Sequence, residues 1–114
     1  MSELIPQDLI EFVEREKPEV LPKMGLTYIK KWNSFYLVDG ETEEHRLKIE
    51  AAVLLINWIR NELPVPLQIN RFTNGMWRVR LPFEISQEAF DDKSLLSALW
   101  MAYKFVKENH DTKP

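Results

Sequence analysis

The sequence predicts an α+β protein: one antiparallel sheet of two hairpins with two long helices packed on one face. Three observations carry that expectation. Apolar residues recur at three- and four-residue spacing over 42–62 and again over 95–106, as amphipathic helices require. Between these stretches, LQINRF and MWRVRLPF alternate apolar and polar residues on either side of Thr73-Asn74-Gly75, the pattern of a half-buried hairpin. A chain of 114 residues, 45% of them hydrophobic, has room for one core. The expectation is therefore a single domain over 1–114, with 1–40 an N-terminal helix and hairpin extension and 41–110 a helix-strand-strand-helix core.

Pro6 suits the first turn of a helix, where its missing N–H costs nothing. Leu9, Phe12 and Val13 share one face of that helix, with Glu11, Glu14 and Arg15 opposite, so it should run from about Pro6 to Lys17. Pro18 and Pro22 interrupt regular structure. After Gly25 the segment LTYIKKWNSFYLVDG is rich in β-branched and aromatic residues around Asn33-Ser34, which predicts a first hairpin with strands near Thr27–Lys31 and Phe35–Val38. Asp39-Gly40 ends it. Thr42 can cap a long helix whose first turn holds Glu43 and Glu44, where carboxylates favour the helix dipole, and which Pro64 and Pro66 stop after about Glu62. Its main stripe is Leu47, Ala51, Leu54, Leu55, Trp58 and Ile59, while Ile49, Val53 and Ile56 carry apolar character round the other side. Such a helix is expected to be buried on more than one side or to sit in an oligomer interface.

Loop length decides which side chains share a face of the second hairpin. A two-residue Asn-Gly loop would set Ile69 opposite Arg80, mixing core with solvent. A three-residue loop with Gly75 left-handed at a bulge pairs Ile69 with Val79 and Leu67 with Leu81. Leu67, Ile69, Trp77, Val79 and Leu81 then form one face, and Gln68, Asn70, Phe72, Met76, Arg78 and Arg80 the other. The bulged loop is the expectation. Ser86 or Asp91 can cap the last helix, along which Leu95, Leu96, Leu99, Ala102, Tyr103 and Val106 recur.

Composition excludes several function classes. Fifteen Lys and Arg against eighteen Asp and Glu give a net charge of -3, which disfavours nucleic acid as a partner and is also too weak to imitate a DNA duplex. No cysteine is present, so disulfides, thiolate zinc sites and a cysteine nucleophile are ruled out, and an intracellular, cytoplasmic setting is expected. The N-terminal twenty residues are acidic, unlike a signal peptide, and Ala51–Ile56 is the longest apolar run. No membrane association is expected.

From Glu44 onward the chain resembles the phage ABA sandwich family, small phage and prophage proteins built on a helix-strand-strand-helix unit. EAAVLLINWI, GMWRVRLPF and SLLSALWMAYKF carry the resemblance. The first forty residues have no counterpart in that pattern, and Asp91-Asp92-Lys93 stands where a proline often precedes the last helix. The resemblance implies a phage or prophage origin, hence a host-cell cytoplasm, and transfers no functional residue.

No catalytic, metal or cofactor constellation emerges. His45 lies among first-turn charges with no second histidine nearby, His110 being in the tail, and neither Ser94 nor Ser97 sits in a nucleophile elbow. Three glycines make no phosphate loop. The chain is expected to be no enzyme and to need no cofactor. Its leading expectation is a protein partner or a homodimer, held by apolar anchors off the main helical stripe: Trp100, Met101, Tyr103 and Trp32. The alternative is an anionic small molecule or nucleotide. Between Leu63 and Phe83 lie Arg71, Arg78 and Arg80 with no acid, and Phe72 stands beside them, a setting in which guanidinium forks can grip an anion.

Overall fold

The computed structural model describes residues 5–31 and 43–111. In order these form α1 (Gln7–Glu16), a 3-10 turn (Pro18–Val20), α2 (Lys23–Lys31), α3 (Glu43–Glu62), β1 (Gln68–Arg71), β2 (Trp77–Arg80), β3 (Ala89–Asp92) and α4 (Leu95–Asp111). The chain divides into two units, Met1–Asn57 and Trp58–Pro114, described here in turn.

In the first unit α1 lies where periodicity puts it, with Pro6 as the residue ahead of it and the Ile10 amide donating to the Pro6 carbonyl at 3.2 Å. Leu9, Ile10 and Val13 are buried, and α1 packs against the 3-10 turn and α2. Thr27–Lys31, expected as a strand, is the second half of helix α2. The Leu26 amide donates to the Pro22 carbonyl at 3.0 Å, starting the helix straight after the proline, and Thr27 Oγ1 turns back onto the Lys23 carbonyl at 2.9 Å. β-branched residues lose only a few tenths of a kcal/mol in a helix, whereas burying an Ile side chain contributes about 1.5–3 kcal/mol. Ile29 is buried, so packing overrides the local preference. The other expected strand, Phe35–Val38, and the cap at Thr42 lie outside the described residues. On the part of α3 in this unit Ala51, Ala52 and Leu55 are buried, while Val53 and Leu54 stay exposed, Leu54 against the expected stripe; Ile59, buried as well, falls in the second unit.

The second unit holds the sheet, a three-stranded antiparallel one in the order β1-β2-β3. β1 and β2 pair in the bulged register, Ile69 opposite Val79 and Gln68 opposite Arg80. Gly75 has φ +87°, its amide reaches the Phe72 carbonyl at 3.0 Å, and the Phe72 amide reaches the Met76 carbonyl at 2.9 Å, which closes a three-residue loop. The Met76 amide donates to Asn74 Oδ1 at 3.0 Å. This parity puts Val79, fully buried, on the face that α4 covers, with Phe90 across from it and against Phe105, ring centroids 5.6 Å apart.

Among the described residues the sheet is the β1–β2 hairpin extended by β3, and α4 is the long helix packed on β2 and β3. One expectation is corrected here. Asp91 does not cap α4. It belongs to β3, opposite Arg78, and the helix start is made by Asp92 Oδ1, which accepts from the Ser94 amide at 2.9 Å, and Ser94 Oγ, which accepts from the Ser97 amide at 3.3 Å. Paired aspartates before an apolar helix look like caps in a sequence. What makes a strand of them is Phe90 finding Val79 on one face and Asp91 finding Arg78 on the other.

A methyl group added at Gly75 would meet nothing within 4 Å, so any cost of Gly75→Ala comes from the backbone alone. The substitution should lower folding stability by about 1 kcal/mol or more, because a Cβ disfavours positive φ. An unchanged denaturant midpoint would contradict the register.

Candidate functional site

The sheet face away from α4 carries Gln68, Asn70, Arg78, Arg80 and Asp91, set there by the register. Arg78 is engaged. Its Nε and Nη2 donate to Asp91 Oδ1 and Oδ2 at 2.8 Å each, a bidentate fork across the strands, and its guanidinium carbon lies 4.9 Å from the Phe72 ring centroid. Both side chains of the pair are about one-third exposed, so solvent screens it. The hydrogen bond to Asp91 raises the Arg78 pKa further. The same hydrogen bonds hold the Asp91 carboxyl below the ordinary value of 3.8, helped by the charges of Arg78 and Arg80 and opposed by burial.

Arg71 goes elsewhere. It faces Trp77 in the register, on the α4 side of the sheet, and its guanidinium stands 5.3 Å from the Trp77 ring. The structure therefore brings Arg78 and Phe72 together but does not gather the three arginines around one anion. The Arg80 side chain makes no hydrogen bond or ion pair to a described residue, and its charge acts on Asp91 only at longer range.

Arg80 lines a cleft of about 460 Å³ together with Pro66, Gln68, Leu81, Pro82, Phe83, Ser86 and Gln87. The bend after β2 builds it: the Ile85 and Ser86 amides both turn back to the Pro82 carbonyl, at 2.9 and 3.1 Å, which leaves Phe83 at the tip. Phe83 is 74% exposed and Val65, on the approach to β1, 81%. A large apolar side chain that stays this wet contributes little to its own fold. Sequence reasoning passed over both residues, because each sits beside prolines that read as helix stop or loop. The available signal was a phenylalanine in a Pro-Phe turn beyond the alternating strand, where no core position remains for it.

The apolar anchor candidates lie differently. Trp100 is 4% exposed, stacked on Tyr103 at 5.8 Å between centroids with Lys104 Nζ 5.3 Å from its ring, and Tyr103 in turn meets Trp58 at 5.3 Å. Tyr103 is buried and Met101 half-buried. Trp32 lies outside the described residues. Among the described residues no group of three His, Asp or Glu could hold a metal ion, and no helix is long and apolar enough to cross a membrane.

Truncation of a buried aromatic costs about 3–5 kcal/mol. Trp100→Ala should therefore show its main effect in a denaturation curve, and a stability within 1 kcal/mol of wild type, on the order of an ordinary surface change, would contradict this placement. Acid titration checks the Arg78–Asp91 pair. A lowered carboxyl pKa contributes stability that is complete above 3.8 and lost as pH falls through the lowered value. Wild-type stability should fall more steeply in that acid window than that of Asp91→Asn, and parallel profiles would remove the pair's contribution.

No family model, no curated protein and no solved structure matches the chain.

Proposed function

We propose that the chain acts without catalysis, by binding a protein partner or a second copy of itself, with the Phe83 cleft as the docking surface. The observation that carries this reading is the exposure of Phe83 at a cleft whose wall is Pro66, Leu81 and Pro82, with Val65, next in sequence to Pro66, exposed as well. Interfaces anchor on a few large apolar side chains in desolvated pockets, with polar groups at the rim. Here Gln68, Arg80, Ser86 and Gln87 supply the polar groups. Trp100 and Tyr103, both buried, serve in this reading as structural residues and not as docking anchors. A phage or prophage accessory role in a host cytoplasm rests on the resemblance of the second half of the chain alone.

The second reading is a small anionic ligand or nucleotide held by arginine. Arg80 favours it, as a cation that lines the cleft with no side-chain hydrogen bond or close ion pair to a described residue; Arg78 already spends its fork on Asp91. Thermal-shift screening against nucleotides and simple anions separates the readings, since a ligand at 100 times its Kd stabilises by about 2.7 kcal/mol.

Light scattering across a concentration series, with cross-linking in lysate, tests the leading reading. Phe83→Ser should weaken self-association or partner capture by about 2 kcal/mol or more while the thermal midpoint holds. A wild-type chain that is strictly monomeric and captures nothing would overturn it.

A further inference from the structure

We propose that the Phe83 cleft recognises an extended peptide segment bearing a carboxylate, an Asp or Glu side chain of the partner, with Arg80 as the group that reads its charge. The inference rests on the protein-binding reading and specifies the chemistry of its partner. Charge complementarity carries it. Among the described residues that line the cleft Arg80 is the cation and none is an acid, and the Arg80 side chain makes no hydrogen bond or close ion pair to a described residue, acting on Asp91 only at longer range. Its neighbour Arg78 differs in this respect, because Asp91 occupies both arms of that fork. A carboxylate entering the cleft would complete at Arg80 the planar, bidentate geometry that Asp91 completes at Arg78.

The singly charged carboxylate fits better than a phosphate. Phosphate-bearing peptides are ordinarily met by clusters of arginine, and this site offers one. Glu84 and Glu88, exposed and next in sequence to lining residues, repel a dianion more than a monoanion. The remaining lining favours a peptide over a free carboxylic acid. Gln68 and Gln87 each offer an amide that donates and accepts, the pair of functions a peptide backbone presents, and neither has a hydrogen bond to a described residue. Gln68 lies on β1, an edge strand whose Gln68, Asn70 and Arg71 are exposed, so an extended segment has room to continue beyond the cleft. Pro66, Pro82 and Phe83 give an apolar wall for the residue beside the acid.

A random-sequence peptide display library, panned in parallel on the wild-type chain, Arg80→Gln and Phe83→Ser, tests this. Both substitutions are at solvent-accessible side chains, and thermal melts establish that each variant is folded. Wild type should enrich peptides with Asp or Glu beside an apolar residue, and Arg80→Gln should lower their recovery about tenfold or more, the loss of a charged hydrogen-bonded contact. Enrichment of peptides without acids, or equal recovery on Arg80→Gln, overturns the acidic-peptide proposal; if recovery still collapses on Phe83→Ser, the protein-binding reading survives it. No enrichment on wild type also overturns the proposal. Titration of sodium benzoate into the wild-type chain is the last arm, and binding as tight as that of the selected peptides would make the site one for small carboxylates instead.

Discussion

A parity governs the second unit. Three residues stand between Phe72 and Met76, and Gly75 takes the left-handed conformation that lets so short a loop close with the natural twist of the strands. Side chains alternate along a strand, so this loop length alone determines that Val79 points at α4 and that its neighbours Arg78 and Arg80 point away. A slip by one residue would bury two guanidinium groups and expose the valine. The penalty for burying unpaired charge far exceeds what any local preference of the turn could return, which is why the hydrophobic pattern and the loop chemistry agree.

From that parity follows a division of labour among cations. Arg78 is structural: it ties β2 to β3 through Asp91 and covers the Phe72 ring. Arg71 lies over Trp77 on the opposite face. Arg80, two residues beyond Arg78 on the same face, stands opposite Ala89 and not an acid, and lines the cleft. Three arginines close together in sequence thus have three destinations, because alternation sends Arg71 to one face, and β3 sets an aspartate opposite Arg78 but an alanine opposite Arg80.

What could be read from the sequence was the part set by long periodicity and by loop counting: α1, α3, α4, the β1–β2 register and the outward orientation of Arg78 and Arg80. The rest turned on residues whose local preference loses to a distant partner. Thr27 and Ile29 favour a strand in isolation, yet Pro22 starts a helix and Ile29 finds a buried position along it. Asp91 favours a cap, yet an arginine thirteen residues earlier in the chain is opposite it in the sheet. Of the candidate site, Arg80 was legible as an outward cation, whereas the cleft beside it was not, since it forms from a proline turn whose shape no periodicity encodes. Trp100 falls off the core stripe in the sequence because a stripe is drawn at one helical angle. Aromatic rings are long enough to reach back, and Tyr103 and Lys104 close over it.

The aromatic stack on α4 also decides what light can report. Of the four tryptophans, Trp58, Trp77 and Trp100 belong to the unit 58–114, and Trp58 and Trp100 both meet Tyr103. Intrinsic fluorescence therefore watches mainly that unit, while the amide signal in the far ultraviolet weighs the helices of the whole chain. Coincident transitions by the two probes would mean that the chain unfolds as one cooperative body, and separated transitions that residues 1–57 melt on their own. The placement of a few indole rings thus gives a spectroscopic handle on cooperativity without any label being added.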